Sequence, residues 1–128
     1  MASLTPINPS DTPRPMGGYA QAVGVTGASQ LLFVSGQIPE TPDGNIPPEF
    51  PVQRRLAWGS LTASLRAAGS DTEDLVKVTT YLTDRSHAVA NRAVRQEFLG
   101  DHRPALTVVV IETLDPRWLL EIEAVAAR

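Results

Sequence analysis

Ala105-Leu106-Thr107-Val108-Val109-Val110-Ile111 decides how this chain must be built. Its β-branched content reads as a strand. Strand side chains alternate between two faces. Leu106, Val108 and Val110 therefore share one face, and Thr107, Val109 and Ile111 share the other. Both faces are apolar apart from the threonine. Leu31-Leu32-Phe33-Val34 behaves the same way. A sheet with one wet face normally alternates apolar and polar residues, so here both faces need cover.

Upstream, Leu75 to Leu82 (LVKVTTYL) is another strand. Between the two strands, Asp84 or Ser86 caps a helix of about 13 residues. Its apolar stripe is Ala90, Val94 and Phe98, and Gly100-Asp101-His102-Arg103-Pro104 breaks it. Val52 to Ala68 reads as a second helix, with Val52, Leu56, Leu61, Leu65 and Ala68 on one face and Gly69 as its stop. Gly59 inside it would suit a close backbone approach. Tyr19 to Val25 and Leu31 to Ser35 read as strands joined by the turn at Thr26 to Gln30, hence a hairpin. Trp118 to Ala126 is the last strand. Pro6, Pro9, Pro13 and Pro15 make the first segment an extended arm or loop, and the five prolines of residues 39–51 make a loop.

The expected order is β-β-α-β-α-β-β in a single α+β domain over residues 1–128. Two helices cover one face of such a sheet, and no segment remains to cover the other. A partner subunit is the economical cover, so the patterning predicts an oligomer without fixing its subunit number.

The 128 residues suffice for a core without a staple, and the chain has no cysteine. Thiol catalysis, Cys-ligated zinc and a disulfide framework are excluded together. The net charge is -3 and Arg54-Arg55 is the only basic doublet, so no nucleic-acid partner is expected. The N-terminal arm has no apolar signal core, and no apolar run approaches the roughly 20 residues of a bilayer span. The expectation is a cytoplasmic protein without membrane association. No metal or other cofactor is expected. His87 and His102 are the only histidines, and they flank a helix without HxH or HxxxH spacing. There is no GxGxxG or phosphate loop. Ser35-Gly36 lacks the GxSxG frame of a nucleophile elbow.

Glu121 and Glu123 lie two apart on the last strand and share a face, opposite Leu120, Ile122 and Ala124. A carboxylate among apolar residues suits a general acid or base; the alternative is that both face water. Arg103-Pro104 is an anion-binding candidate at a strand entrance, or an exposed loop arginine. Tyr19 is a pocket wall or an ordinary strand aromatic.

Several segments in order resemble the RidA/YjgF/YER family of imine deaminases, also called L-PSP endoribonucleases. They are Gly18-Tyr19-Ala20-Gln21-Ala22-Val23, similar to the family's GPYSQAV; Leu32-Phe33-Val34-Ser35-Gly36-Gln37-Ile38-Pro39; Ala67-Ala68-Gly69-Ser70; Val76 to Asp84; Asn91 and Phe98; His102-Arg103-Pro104-Ala105; and Leu120 to Ala126. The resemblance implies a chorismate-mutase-like fold assembled as a homotrimer, with the helices outside and small-molecule ligands in the clefts between subunits. It implies that Tyr19 lines the pocket, that Ser35 and Gly36 form part of its wall, that Asn91 is a nearby polar group and that the backbone near Val108 offers hydrogen bonds. It assigns Glu121 to positioning or activating water.

In the family's deaminases an arginine follows the Arg-Pro-Ala element and pairs with the carboxylate of a 2-imino or 2-enamino acid. Here that position is Leu106. Arg103 precedes the proline and is a candidate to reach the cleft from the strand-entry loop. The proline-rich stretch around Pro47-Pro48 also departs from the family loop. A hydrogen bond to a charged group is worth about 1.5–3 kcal/mol, roughly 10- to 150-fold in affinity. The leucine therefore predicts a poor deaminase of 2-aminoacrylate-type imines and a preference for a less anionic or more apolar ligand. Two functions follow: a hydrolase or deaminase of imine or enamine metabolites with altered specificity, or a non-catalytic ligand-binding or protein-interaction trimer. A ribonuclease fits poorly, because the charge balance is wrong and no His/His or His/Lys acid-base pair is present.

Overall fold

The computed structural model describes residues 2–128. Its elements are β1 (Ser3–Ile7), β2 (Ala22–Thr26), β3 (Leu31–Gln37), α1 (Phe50–Ala67), β4 (Leu75–Leu82), α2 (Ala88–Leu99), β5 (Ala105–Val110) and β6 (Leu120–Ala127). Strands β3-β6-β4-β5 form one sheet, and β1 and β2 form a separate two-stranded ribbon. β6 is antiparallel to both β3 and β4, whereas β4 and β5 are parallel. The segments β3-α1-β4 and β4-α2-β5 are therefore crossovers between parallel strands, and β6 fills the slot left by the first.

Both helices lie on one face of this sheet. Trp58, Leu61 and Leu65 of α1 and Val94 of α2 pack with Val78, Leu82, Leu120 and Ile122, all with almost no exposure. Trp58 stacks on Phe98 with ring centroids 5.4 Å apart, joining the two helices. The other face holds Lys77, Thr79, Tyr81, Glu121 and Glu123 among apolar groups. On it Phe33 is 73% exposed and Leu31 57%. One apolar face is thus covered within the chain and a second is left open. Among the described residues no helix is long and apolar enough to cross a membrane.

The α+β class and two-helix layer agree with the sequence reading, but the order gains a strand at its start. Residues 3–7, expected as arm or loop, pair antiparallel with β2, with Pro6 opposite Val23. A proline is tolerated at a ribbon edge because its missing N–H need not donate. β2 and β3 do not form the expected hairpin. β3 pairs instead with β6, and the turn residues Ser29 and Gln30 donate their backbone N–H to Arg128 O.

α1 starts two residues before its expected Val52, with Pro51 in its first turn. Its buried stripe is Phe50, Gln53, Ala57, Trp58, Leu61, Thr62 and Leu65, while Val52 is 44% exposed. An aliphatic count underweights tryptophan and cannot anticipate a buried glutamine. Gln53 is buried because its amide joins two loops: Nε2 donates to Pro47 O at 2.7 Å and Arg117 O at 2.8 Å, and Oε1 accepts from Leu119 N at 2.8 Å. Gly59 has open space where a Cβ would stand, so it serves no close approach. Asp84 caps a short 3-10 turn through Ser86 N, and α2 begins only at Ala88.

Candidate functional site

Pairing register sorts the candidate residues between the two sheet faces. Val78, Thr80 and Leu82 face the helices, and their β5 partners are Leu106, Val108 and Val110. Tyr81 points the other way, opposite Glu121 of β6 and Val109 of β5. Leu106 and Glu121 consequently lie on opposite faces of one sheet.

On the helix side, Tyr19, Asn91, Leu106 and Val108 line a single cleft of about 400 Å³. Its walls are α2, β5 and the segment before β2. That segment is tied to β5 by Ala20 N donating to Pro104 O at 3.0 Å and by a parallel bridge between Ala20 and Ala105. Tyr19 precedes β2 rather than lying within it, which frees its ring to line the cleft. Asn91 is 1% exposed, and its Oδ1 has no hydrogen-bond partner among the described residues.

Arg103 does not line this cleft. It borders two neighbouring depressions, one of them shared with Tyr19, and bonds Gly100 O at 3.3 Å. His87 stacks on Phe50 with centroids 4.0 Å apart, and His102 Nε2 lies 2.6 Å from Leu75 O. The two histidines sit at opposite ends of α2 and form no pair.

The open side holds the remaining candidates. Between Val34 and Gln37 the register of β3 slips against β6, a bulge carrying Ser35 and Gly36. A Cβ on Gly36 would fall 1.8 Å from Glu121 Oε2 and 2.7 Å from its Cδ. Only glycine permits the carboxylate to lie against the chain there. The Tyr81 hydroxyl donates to Glu123, and this bond is the main reason the phenol is pushed above its ordinary value; burial and the Glu123 and Glu121 charges act in the same direction. Glu123 is thereby engaged, whereas among the described residues no side-chain donor bonds Glu121.

The chain is similar to known proteins along nearly its whole length. The family described as endoribonuclease L-PSP matches residues 9–128. The chain belongs to that family. It is 35% identical over 118 residues to a RutC family protein of Pyrococcus horikoshii, covering 91% of each chain. It is 30% identical over 126 residues to the 2-iminobutanoate/2-iminopropanoate deaminase of Escherichia coli, covering 95% of this chain and 96% of that one. Its fold is similar to that of YyfB from Yersinia pestis, described as a member of the Rid family of unknown function, with a TM-score of 0.85, 25% identity and 98% of each chain covered.

In this L-PSP family chain the cleft also contains residues that sequence reading did not single out: Met16, Gln21, Ala88, Arg92 and Arg95. Arg95 is 5% exposed and donates from Nη2 to Gly17 O at 2.8 Å. Burial, and secondarily the charge of Arg92, push its guanidinium below its ordinary value. A signal was available, since Asn91 and Arg95 are four apart and flank Val94 on the buried stripe of α2. The β5 wall, built from Leu106 and Val108, carries no cation, whereas the α2 wall carries two, Arg92 and Arg95.

Proposed function

We propose that this protein is a hydrolase of imine- or enamine-type metabolites, deaminase-like, whose specificity differs from its relatives because Leu106 forms part of the β5 wall. It works as a homotrimer in which the cleft of one subunit is completed by the Gly36–Glu121 face of the next. The observation that carries this reading is the separation of the parts. Four of the expected ligand-binding residues line one cleft, while the free carboxylate lies on the opposite face of the sheet. A second copy, seated on the exposed face bearing Phe33 and Leu31, would bring the two together and cover that face.

In the reaction Glu121 accepts a proton from water as the water oxygen bonds to the imine carbon. The C–N bond of the resulting carbinolamine then breaks. The nitrogen leaves as ammonia, carrying both the proton that Glu121 returns and the hydroxyl proton of the carbinolamine, and the carbon becomes a ketone. No electron acceptor is needed. The relative that acts on 2-iminobutanoate and 2-iminopropanoate supports the reaction class.

The test generates 2-iminobutanoate with an amino-acid oxidase and follows release of the oxo acid. The expected result is turnover above the spontaneous rate that falls at least tenfold in Glu121→Gln, together with a trimer mass by light scattering. Equal rates for the two proteins would refute the role of Glu121.

The second reading, a non-catalytic binding or interaction trimer, is favoured by one observation: no carboxylate lines the cleft of a single subunit among the described residues. Ligand binding without turnover in an intact trimer would decide for it. Ribonuclease action is not proposed, since the two histidines are separated and engaged elsewhere.

A further inference from the structure

Arg95 is a cation almost withdrawn from water, and among the described residues no carboxylate pairs with it. The ion pairs observed are elsewhere, Arg55–Glu97 and Arg117–Asp115. A buried charge is costly unless it is paired and hydrogen-bonded. Its bond to Gly17 O satisfies one N–H direction only. Arg92 stands beside it: a Cβ on Gly17 would lie 3.3 Å from Arg92 Nε and 3.6 Å from Arg95 Nη2. Two guanidinium groups around one glycine repel each other, and an anion in the adjoining cleft relieves both the repulsion and the unpaired burial.

Asn91 adds an independent requirement. Its buried Oδ1 has no donor, and Asn91 lines the same cleft one helical turn before Arg95. A buried acceptor without a partner on a cleft-lining residue is a place where a ligand N–H or O–H can bond. The facing wall is apolar, built from Leu106 and Val108 with Met16 at the margin.

We propose that Arg95, assisted by Arg92, holds the carboxylate of a small organic acid against the α2 wall, with a ligand N–H or O–H donating to Asn91 and the ligand's apolar part lying on Leu106 and Val108. This deepens the hydrolase reading and rests on it for the identity of the reacting group. It also changes one sequence expectation. The leucine does not make the cleft suited to a less anionic ligand. It moves the anion across the cleft, from the strand to the helix.

The test measures binding of 2-oxobutanoate and of its methyl ester by NMR titration, in the wild type, Arg95→Met, Arg95→Lys and Arg92→Met. Arg95→Met should weaken 2-oxobutanoate by roughly 10- to 150-fold, the value of a hydrogen bond to a charged group. Arg95→Lys should recover part of the loss, because lysine keeps the charge without the fork. Methyl-ester binding should be the same in all four proteins, a result that a purely structural role for Arg95 would not give. Arg92 is exposed, so Arg92→Met keeps the test readable if Arg95→Met fails to fold; it should weaken the acid but not the ester.

Arginine variants that bind 2-oxobutanoate as the wild type does would overturn the inference. So would inorganic phosphate displacing the acid at lower concentration than the acid itself needs to bind. Arginine-dependent binding with no turnover of 2-iminobutanoate would uphold it and refute the hydrolase reading. Turnover with a KM unchanged in Arg95→Met would refute it and leave the hydrolase reading standing.

Discussion

Replacing Gly36 with alanine tests how the Glu121 carboxylate is positioned. The added methyl carbon would stand 1.8 Å from Glu121 Oε2, 2.7 Å from Cδ and 3.0 Å from Cγ. Ordinary contact begins near 3.4 Å, so the oxygen must retreat by about 1.6 Å. The β6 backbone cannot supply that movement readily, because it is bonded on both sides, to β3 and to β4. The side chain must rotate instead. Since among the described residues no side-chain donor holds Glu121 in place, the cost should fall toward the lower end of the roughly 1–3 kcal/mol of an overpacked site. The effect on catalysis should be larger, since a misplacement of about 1 Å can cost on the order of 100-fold in rate. Urea unfolding and kcat/KM on 2-iminobutanoate, measured on the same samples, separate the two. The same substitution made on Glu121→Ala should cost much less stability, because the carboxylate it collides with is gone. Full activity in Gly36→Ala, or an equal stability loss in both backgrounds, would refute the reasoning.

Gln53→Leu should be destabilising by about 2–5 kcal/mol in urea unfolding. It removes the partner of Leu119 N, Pro47 O and Arg117 O, all in part-buried hydrogen bonds; a fully buried unsatisfied group costs about 1–3 kcal/mol, and these lose less where water can replace the amide. Phe33→Asp should leave the circular dichroism of the fold unchanged, because this ring is 73% exposed in the isolated chain. It should lower the mass seen by light scattering toward that of a monomer; an undiminished mass would show that the open sheet face is not the contact surface.

The parts of the fold set by strong local patterning were legible from the residues. β4 has both of the ends that its pattern predicts, and the two-faced apolar character of β3 is matched by the exposure of Leu31 and Phe33 on the face that the helices leave open. β1 was missed because prolines dominate residues 6–15, and the edge position that tolerates Pro6 is a tertiary fact. The pairing of β2 with β1 rather than β3 was missed for a related reason. Adjacency in sequence favoured a hairpin, whereas the backbone groups of the intervening turn are satisfied by Arg128 at the far end of the chain.

The site was legible in its residue types and not in its geometry. Tyr19, Asn91, Leu106 and Val108 were named from resemblance and meet in one cleft. Ser35, Gly36 and Glu121 meet elsewhere, because β6 residues alternate between the two faces and Glu121 is on the face turned away from the helices. Arg103 lines neither the cleft nor the bulge and, of these residues, meets only Tyr19, in a neighbouring depression. Arg95 was passed over because a helical arginine is ordinarily a surface residue, and its burial depends on how the segment carrying Gly17 folds back over α2.

The division of the cleft and the carboxylate between two faces of the sheet has a genetic consequence on the proposed trimer. No subunit owns a complete site, so two differently impaired chains need not make an equally impaired protein. Refolded as an equal mixture, Glu121→Gln and Arg95→Met subunits would place an intact cleft beside an intact carboxylate at about one junction in four, the product of two independent halves. Two alleles, each defective alone, would then complement each other in the same cell.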